Sequence, residues 1–313
     1  MTATSPSAAQ VSASPGLIEA ESLDQLLRLQ NRQPGEPAAL RVVDCRWTAK
    51  GPSAREKYVE AHIPSAAFVD LDGDLAQPGG PGRHPFPTPE RFGALLARLG
   101  IGEQTRVVVY DDGPGAYAAR LWFMLRAHGH AATSVLDGGL AAWKAAGFPL
   151  ASGDEVPTPI APRALQLDPK LVADRAYVRN VLLTPQVGAP GGPLLLDARA
   201  RPRYRGDFEP LDKKAGHIPG AVNAPYEESL RSAEDPRFKS TDELRRLFEA
   251  VGAGKASEVV VSCGSGVTAC HDALALELAG FPLPRLYVGS FSEWSSLPDE
   301  VVATGSEPGK LDG

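Results

Sequence analysis

The sequence predicts an α/β fold made twice over: two tandem domains, each a parallel β-sheet flanked by helices. Two observations lead there. Short apolar runs of strand length alternate with longer helical stretches, the pattern of a parallel sheet covered on both faces. A set of landmarks then recurs about 150 residues further on, which marks a duplication.

In the first copy the elements follow in order. Arg41–Asp44 and Ala67–Val69 read as buried strands, and Pro89–Leu99 as a helix. Val107–Tyr110 is a third strand, Tyr117–Ala127 a second helix and Ser134–Leu136 a fourth strand. The second copy repeats the scheme. Leu40-Arg41-Val42-Val43-Asp44 recurs as Leu194-Leu195-Leu196-Asp197, with the Asp offset by 153. Ala61-His62-Ile63-Pro64 recurs as Gly216-His217-Ile218-Pro219, with the His offset by 155. Val107-Val108-Val109 returns as Val259-Val260-Val261 at 152, and Gly138 with Trp143 as Gly289 with Trp294 at 151. A Pro- and Ala-rich link around Gly153–Arg163 separates the copies. The expected organisation is therefore a first domain over 17–150, a linker over 151–165 and a second domain over 166–305.

Composition narrows the class. A chain of 313 residues is long enough for two domains, each with its own core. Hydrophobic content of 43% and charged content of 22% are ordinary for a globular protein. Three cysteines cannot form a disulfide scaffold and fit a reducing compartment. No apolar run approaches a membrane span, and the Ser/Ala/Thr-rich Met1–Gly16 reads as a disordered tail, so the expected location is cytoplasmic. A net charge of −6 argues against nucleic acid, although local dipoles and one Arg could still hold an anionic substrate.

The most informative stretch is Val259-Val260-Val261-Ser262-Cys263-Gly264-Ser265-Gly266-Val267-Thr268. It places a cysteine where a buried strand turns into the helix Ala269–Leu278, which ends near Gly280. Two Gly around a Ser permit a tight loop with inward N–H groups. Together with the helix dipole, such a loop favours thiolate over thiol. A cysteine at a strand end is ordinarily a small buried hydrophobe. Packing alone, however, does not require Gly-Ser-Gly after the sulfur. Cys270, two turns on in an apolar stretch, reads as core, and Cys45, between Asp44 and Arg46, is ambiguous. Position 111 of the first copy, the equivalent of Cys263, is Asp, which cannot perform thiolate chemistry. The first copy should thus wall the site, which lies beyond the carboxyl ends of the second copy's strands. His62 and His217 have no second ligand at metal spacing, so they are expected to pin turns, and no metal is assigned.

With the duplicated His-Ile-Pro, the paired Gly…Trp elements and the Cys263–Thr268 loop, the chain resembles the tandem-domain rhodanese sulfurtransferases over roughly Leu17–Val302. The uncharged Cys-Gly-Ser-Gly-Val-Thr, continued by Ala269-Cys270-His271, is similar to the subgroup that uses 3-mercaptopyruvate. Thiosulfate-type members carry basic residues after the Cys, suited to a compact dianion. The resemblance implies a persulfide on Cys263, fed by a small-molecule sulfur donor and emptied by thioredoxin, another thiol or cyanide. No cofactor is implied. It implies Gly264, Gly266, Val267 and Thr268 in the substrate loop and Arg203 as a substrate-binding Arg. It further implies a polar relay from Asp72 and His84 of the first copy to Ser265. The family's second Arg after Glu-Pro is absent, since Glu209-Pro210 is followed by Leu211, unless Lys213 or Lys214 replaces it. Val288 departs from the family's Asp-Gly-Ser before the Trp element.

Three other functions compete. A cysteine phosphatase needs an Arg six residues after the Cys, and position 269 is Ala. A non-enzymatic binding module suits the first copy better than the second. A thiosulfate sulfurtransferase is the nearest alternative.

Overall fold

Strands and helices alternate along the computed structural model, which describes residues 16–30, 40–49, 51–182, 184 and 187–311. The expected tail therefore lies outside the described residues, Gly16 excepted. The first copy runs β1 (Leu17–Ile18), α1 (Ala20–Gln30), β2 (Leu40–Asp44), α2 (Ala54–Glu60), β3 (Ala66–Phe68), α3 (Pro89–Arg98), β4 (Arg106–Tyr110), α4 (Ala118–Ala127), β5 (Thr133–Leu136) and α5 (Gly139–Ala145). The second runs β6 (Val172–Ala173), α6 (Arg175–Leu182), β7 (Pro193–Asp197), α7 (Arg201–Arg205), β8 (Val222–Asn223), α8 (Thr241–Ala250), β9 (Glu258–Ser262), α9 (Thr268–Leu278), β10 (Arg285–Tyr287) and α10 (Ser290–Trp294).

Each copy makes one five-stranded sheet, ordered β1-β5-β4-β2-β3 and β6-β10-β9-β7-β8. All pairings are parallel, and the two orders are the same order. The central strands are buried, which is why β4 and β9 read as runs of Val.

The duplication extends to single contacts. Arg46 chelates Asp44 and donates to the Ala61 carbonyl at 2.8 Å. Arg199 chelates Asp197 and donates to the Gly216 carbonyl at 2.7 Å. His62 stacks on Tyr58 and bonds its carbonyl through Nδ1, as His217 does with Tyr204. These histidines thus hold the turn that leads into β3 or β8 to the helix before it. Trp143 and Trp294 each donate an indole N–H to a carbonyl six or seven residues on.

Residues 151–165 do not hang free between the copies. Ala151 bridges to His62, and the Ile160 N–H donates to the Ala97 carbonyl at 3.0 Å. Each copy buries an apolar cluster of its own, around Val42, Val108 and Trp143 in the first and around Leu195, Val260 and Trp294 in the second, and the two share a third. The shared cluster runs from Val43, Val109 and Trp122 through to Leu196, Val261 and Leu274. Its hinge is the packing of α4 on α9. Most of α9 is buried all round, and its His271 and Asp272 are buried with its Ala and Leu residues. The Arg126–Glu277 ion pair, at 2.8 Å, closes the seam. Among the described residues, no helix is long and apolar enough to cross a membrane.

Candidate active site

The site is built at the carboxyl end of β9, and the sulfur is its floor. Cys263 is 2% exposed. The Gly266 N–H points at its Sγ at 3.1 Å. Gly266 can turn that way because its φ is +72°, and a Cβ there would lie 2.6 Å from the Val288 carbonyl. The Cys263 N–H is held by the Ser290 hydroxyl at 3.1 Å, and its carbonyl by the Phe291 N–H at 2.9 Å. Val267 is buried and caps α9, and Thr268 opens that helix. The other two cysteines are also free and buried. Cys270 donates to the Gly266 carbonyl at 3.2 Å, and burial pushes its thiol up to about 12.

The first copy reaches over this floor. His84 Nδ1 lies 2.8 Å from the Ser265 hydroxyl, and His84 Nε2 lies 3.0 Å from Asp72. The Trp47 indole N–H holds the other Asp72 oxygen at 3.0 Å. The three residues expected to form a relay are therefore brought into one chain of hydrogen bonds across the two copies. Burial lowers the His84 pKa, and the Arg120 charge lowers it further; the Asp72 carboxylate offsets this only in part. A neutral ring results, with Nε2–H on Asp72 and Nδ1 free to accept from Ser265.

Arg203, on α7, lies beside the loop. Its guanidinium bonds Glu209 at 2.7 Å and Asp212 at 3.2 Å. Burial alone would raise the Glu209 carboxyl, but Arg203 and the Leu211 N–H together bring it below its ordinary value. Lys214 does not reach the site, because its ammonium binds the carbonyls of Leu297, Pro298 and Glu300. Lys213 lines a surface hollow of about 330 Å³ together with Arg83, Asp212 and Ser292.

One residue of the site escapes sequence reasoning. Arg120 on α4 is fully buried, with its guanidinium 4.3 Å over the Phe86 ring. It donates to three carbonyls: Gly266 at 2.9 Å, His84 at 2.6 Å and Leu75 at 3.1 Å. It therefore ties the cysteine loop to the two first-copy segments that carry Asp72 and His84. The available signal was an Arg in the first turn of the otherwise apolar stretch Ala118–Leu125.

The loop can hold a sulfur anion, the relay can move one proton, and the guanidinium can hold a carboxylate or similar anion. Comparison with known proteins agrees in kind. The rhodanese-like domain family matches residues 22–146 and again 186–297. A Pseudomonas aeruginosa protein named "Probable 3-mercaptopyruvate sulfurtransferase" is 48% identical over 86% of this chain and 94% of its own. The human 3-mercaptopyruvate sulfurtransferase is 38% identical over 94% of this chain and 98% of its own. Relatives named thiosulfate sulfurtransferase also match, the rat protein at 36%. Among solved structures, the Escherichia coli 3-mercaptopyruvate sulfotransferase SseA superposes with a TM-score of 0.75 at 31% identity, over 89% of this chain and all of that one. With two matched domains, the repeated sheet topology and full-length relatives of this kind, the chain belongs to the rhodanese family of sulfurtransferases, in its tandem-domain form.

Proposed function

We propose that this protein transfers sulfur from 3-mercaptopyruvate to a thiol acceptor through a persulfide on Cys263. The observation that carries this reading is the convergence, on one uncharged loop, of a buried sulfur, a Ser265–His84–Asp72 chain and the Arg203 guanidinium. The Cys263 thiolate attacks the donor sulfur. A sulfur–sulfur bond forms, the carbon–sulfur bond breaks, and its electron pair leaves as the enolate of pyruvate. The donor's S–H proton passes to the enolate carbon by way of Ser265 and His84. The products are pyruvate and the Cys263 persulfide anion, with no net gain or loss of protons. The relay matters only while the carbon–sulfur bond breaks and should act on kcat. Arg203 holds the donor carboxylate in ground and transition states alike and should act on KM. A small thiol, thioredoxin or cyanide then removes the outer sulfur. The free cysteines suit a reducing compartment such as the cytoplasm.

Thiosulfate is the second reading, supported by the relatives that bear its name. Side-by-side kinetics separate the two. With Gly264 and Ser265 uncharged, kcat/KM for 3-mercaptopyruvate should exceed that for thiosulfate by about tenfold or more, roughly 1.4 kcal/mol. Mass spectrometry after donor without acceptor should show one added sulfur, absent in Cys263→Ser. Equal or reversed preference would refute the donor assignment.

A further inference from the structure

We infer that Arg83, supplied by the first copy, is the second anchor of the donor's carboxylate opposite Arg203, and that Asp212 occupies the place between them when no donor is bound. The inference rests on the donor reading above and extends it to a residue that neither the cysteine loop nor the relay involves.

Gly264, directly after Cys263, locates the pair. A Cβ on Gly264 would lie 2.8 Å from Arg83 Nη2 and 3.5 Å from both terminal nitrogens of Arg203. Two guanidinium groups from different copies therefore converge on the bare face of the residue next to the sulfur. Both hold the same carboxylate. Arg83 Nη1 bonds Asp212 Oδ1, and Arg203 Nη2 bonds Asp212 Oδ2 at 3.2 Å. One carboxylate oxygen for each guanidinium is the arrangement in which two arginines clamp a carboxylate.

The placement is held from both sides. The Arg83 N–H donates to the Ser292 hydroxyl at 3.0 Å, and the Ser292 N–H donates to the Gly264 carbonyl at 2.9 Å. Arg203 is fixed independently by three further bonds to Glu209, so it keeps a partner if Asp212 withdraws. The Asp212 side chain is 2% exposed and borders the hollow beside Arg83. Burial raises its carboxyl above the usual range even with Arg83 in contact. On losing its guanidinium partners, Asp212 could therefore take up a proton instead of remaining a buried anion. An entering donor would thus exchange one carboxylate for another. This supplies the second cation that Leu211 fails to provide and that Lys214 cannot.

The test compares two donors. Mercaptoacetone has the same thiol and carbonyl as 3-mercaptopyruvate but a methyl group in place of the carboxylate. Arg83→Ala should raise KM for 3-mercaptopyruvate about tenfold or more, while KM for mercaptoacetone moves less than about threefold; Arg83→Lys should fall between. Asp212→Asn removes the resident competitor and should lower KM for 3-mercaptopyruvate. Titration with pyruvate gives a readout independent of turnover, and Arg83→Ala should weaken its binding about tenfold. Equal losses with both donors would mean that Arg83 only ties the copies together, and would overturn the inference, as would no loss with either. If the wild-type protein fails to use 3-mercaptopyruvate, the donor reading falls, and the pyruvate titration alone decides whether Arg83 anchors a carboxylate.

Discussion

The two copies end their central strands in corresponding loops, and those loops hold different things. After β4, Asp111 fills its own loop. Oδ1 accepts the N–H groups of Gly113 and Gly115 at 3.0 and 2.9 Å, and Oδ2 those of Tyr117 and Ala118 at 2.9 and 3.4 Å. After β9, the Gly266 N–H turns onto a sulfur that no carboxylate displaces. The first loop spans 112–117 before its helix, the second only 264–267. A nest of N–H donors is an anion site in either case. Where the chain supplies the anion, the site becomes structural. Where it supplies a sulfur, the group that the loop faces is left free to react. The first copy keeps the fold, fills its own nest, and contributes His84, Asp72 and Arg120 to its neighbour's.

This comparison can be broken by moving the sulfur. Asp111→Cys combined with Cys263→Ser places a thiol in the first nest and a hydroxyl in the second. Neither nest then has both sulfur and relay, because His84 bonds Ser265 and not the first loop. Transfer should fall by about a thousandfold or more, to the level of Cys263→Ser alone. Persulfide mass appearing at position 111 with turnover would show that the nest suffices, and would refute the division of labour drawn above.

The relay gives the next largest effect. His84→Ala should lower kcat about a hundredfold, the usual size of a general acid–base contribution. The pH profile carries the sign. Since burial and Arg120 hold the His84 pKa below the ordinary histidine value, the ring is neutral through the neutral range. Protonation would occupy Nδ1 and end its acceptance from Ser265. The acid limb of kcat/KM should therefore lie below about 6.5, with activity lost only as pH falls through it. A limb above that value, or one unchanged in His84→Gln, would assign the titration elsewhere.

Much of this is legible in the sequence. The repeat survives down to paired contacts, and each first-copy helix or strand read from the sequence lies within a residue of its place. Cys263 stood out because Gly-Ser-Gly directly after a buried strand marks a tight loop around the sulfur. What stayed hidden depends on partners far off in the chain. Arg120 reads as an isolated charge near the start of an apolar helix, yet its three carbonyls lie 36, 45 and 146 residues away. Arg83 sits in the Gly-rich segment before His84, and only the docking of the copies brings it to Asp212, 129 residues on. The third apolar cluster, shared by the two copies, stayed hidden for a related reason. The apolarity of α9 shows that it is buried, but not that α4 of the other copy covers it.

The smallest expected effect concerns the turn that faces each loop, where Gly139 and Ser290 occupy equivalent positions. Both are left-handed, with φ of +53° and +51°. In the first copy a Cβ at Gly139 would lie 2.5 Å from the Asp111 carbonyl, so only glycine fits. In the second copy a serine bears the strain, and its hydroxyl accepts the Cys263 N–H while donating to the Tyr287 carbonyl at 2.8 Å. Ser290→Gly should relieve about 1 kcal/mol of backbone strain but leave the buried Cys263 N–H without its acceptor, at a cost of about 1–3 kcal/mol. The net cost is about 0–2 kcal/mol, so Tm should fall by at most about 8 °C. Ser290→Ala keeps the strain as well as losing the bond, and should melt lower than Ser290→Gly. Thermal melts of both variants beside the wild type check the order. If Ser290→Ala proves the more stable of the two, the hydroxyl is not what holds a serine in that conformation.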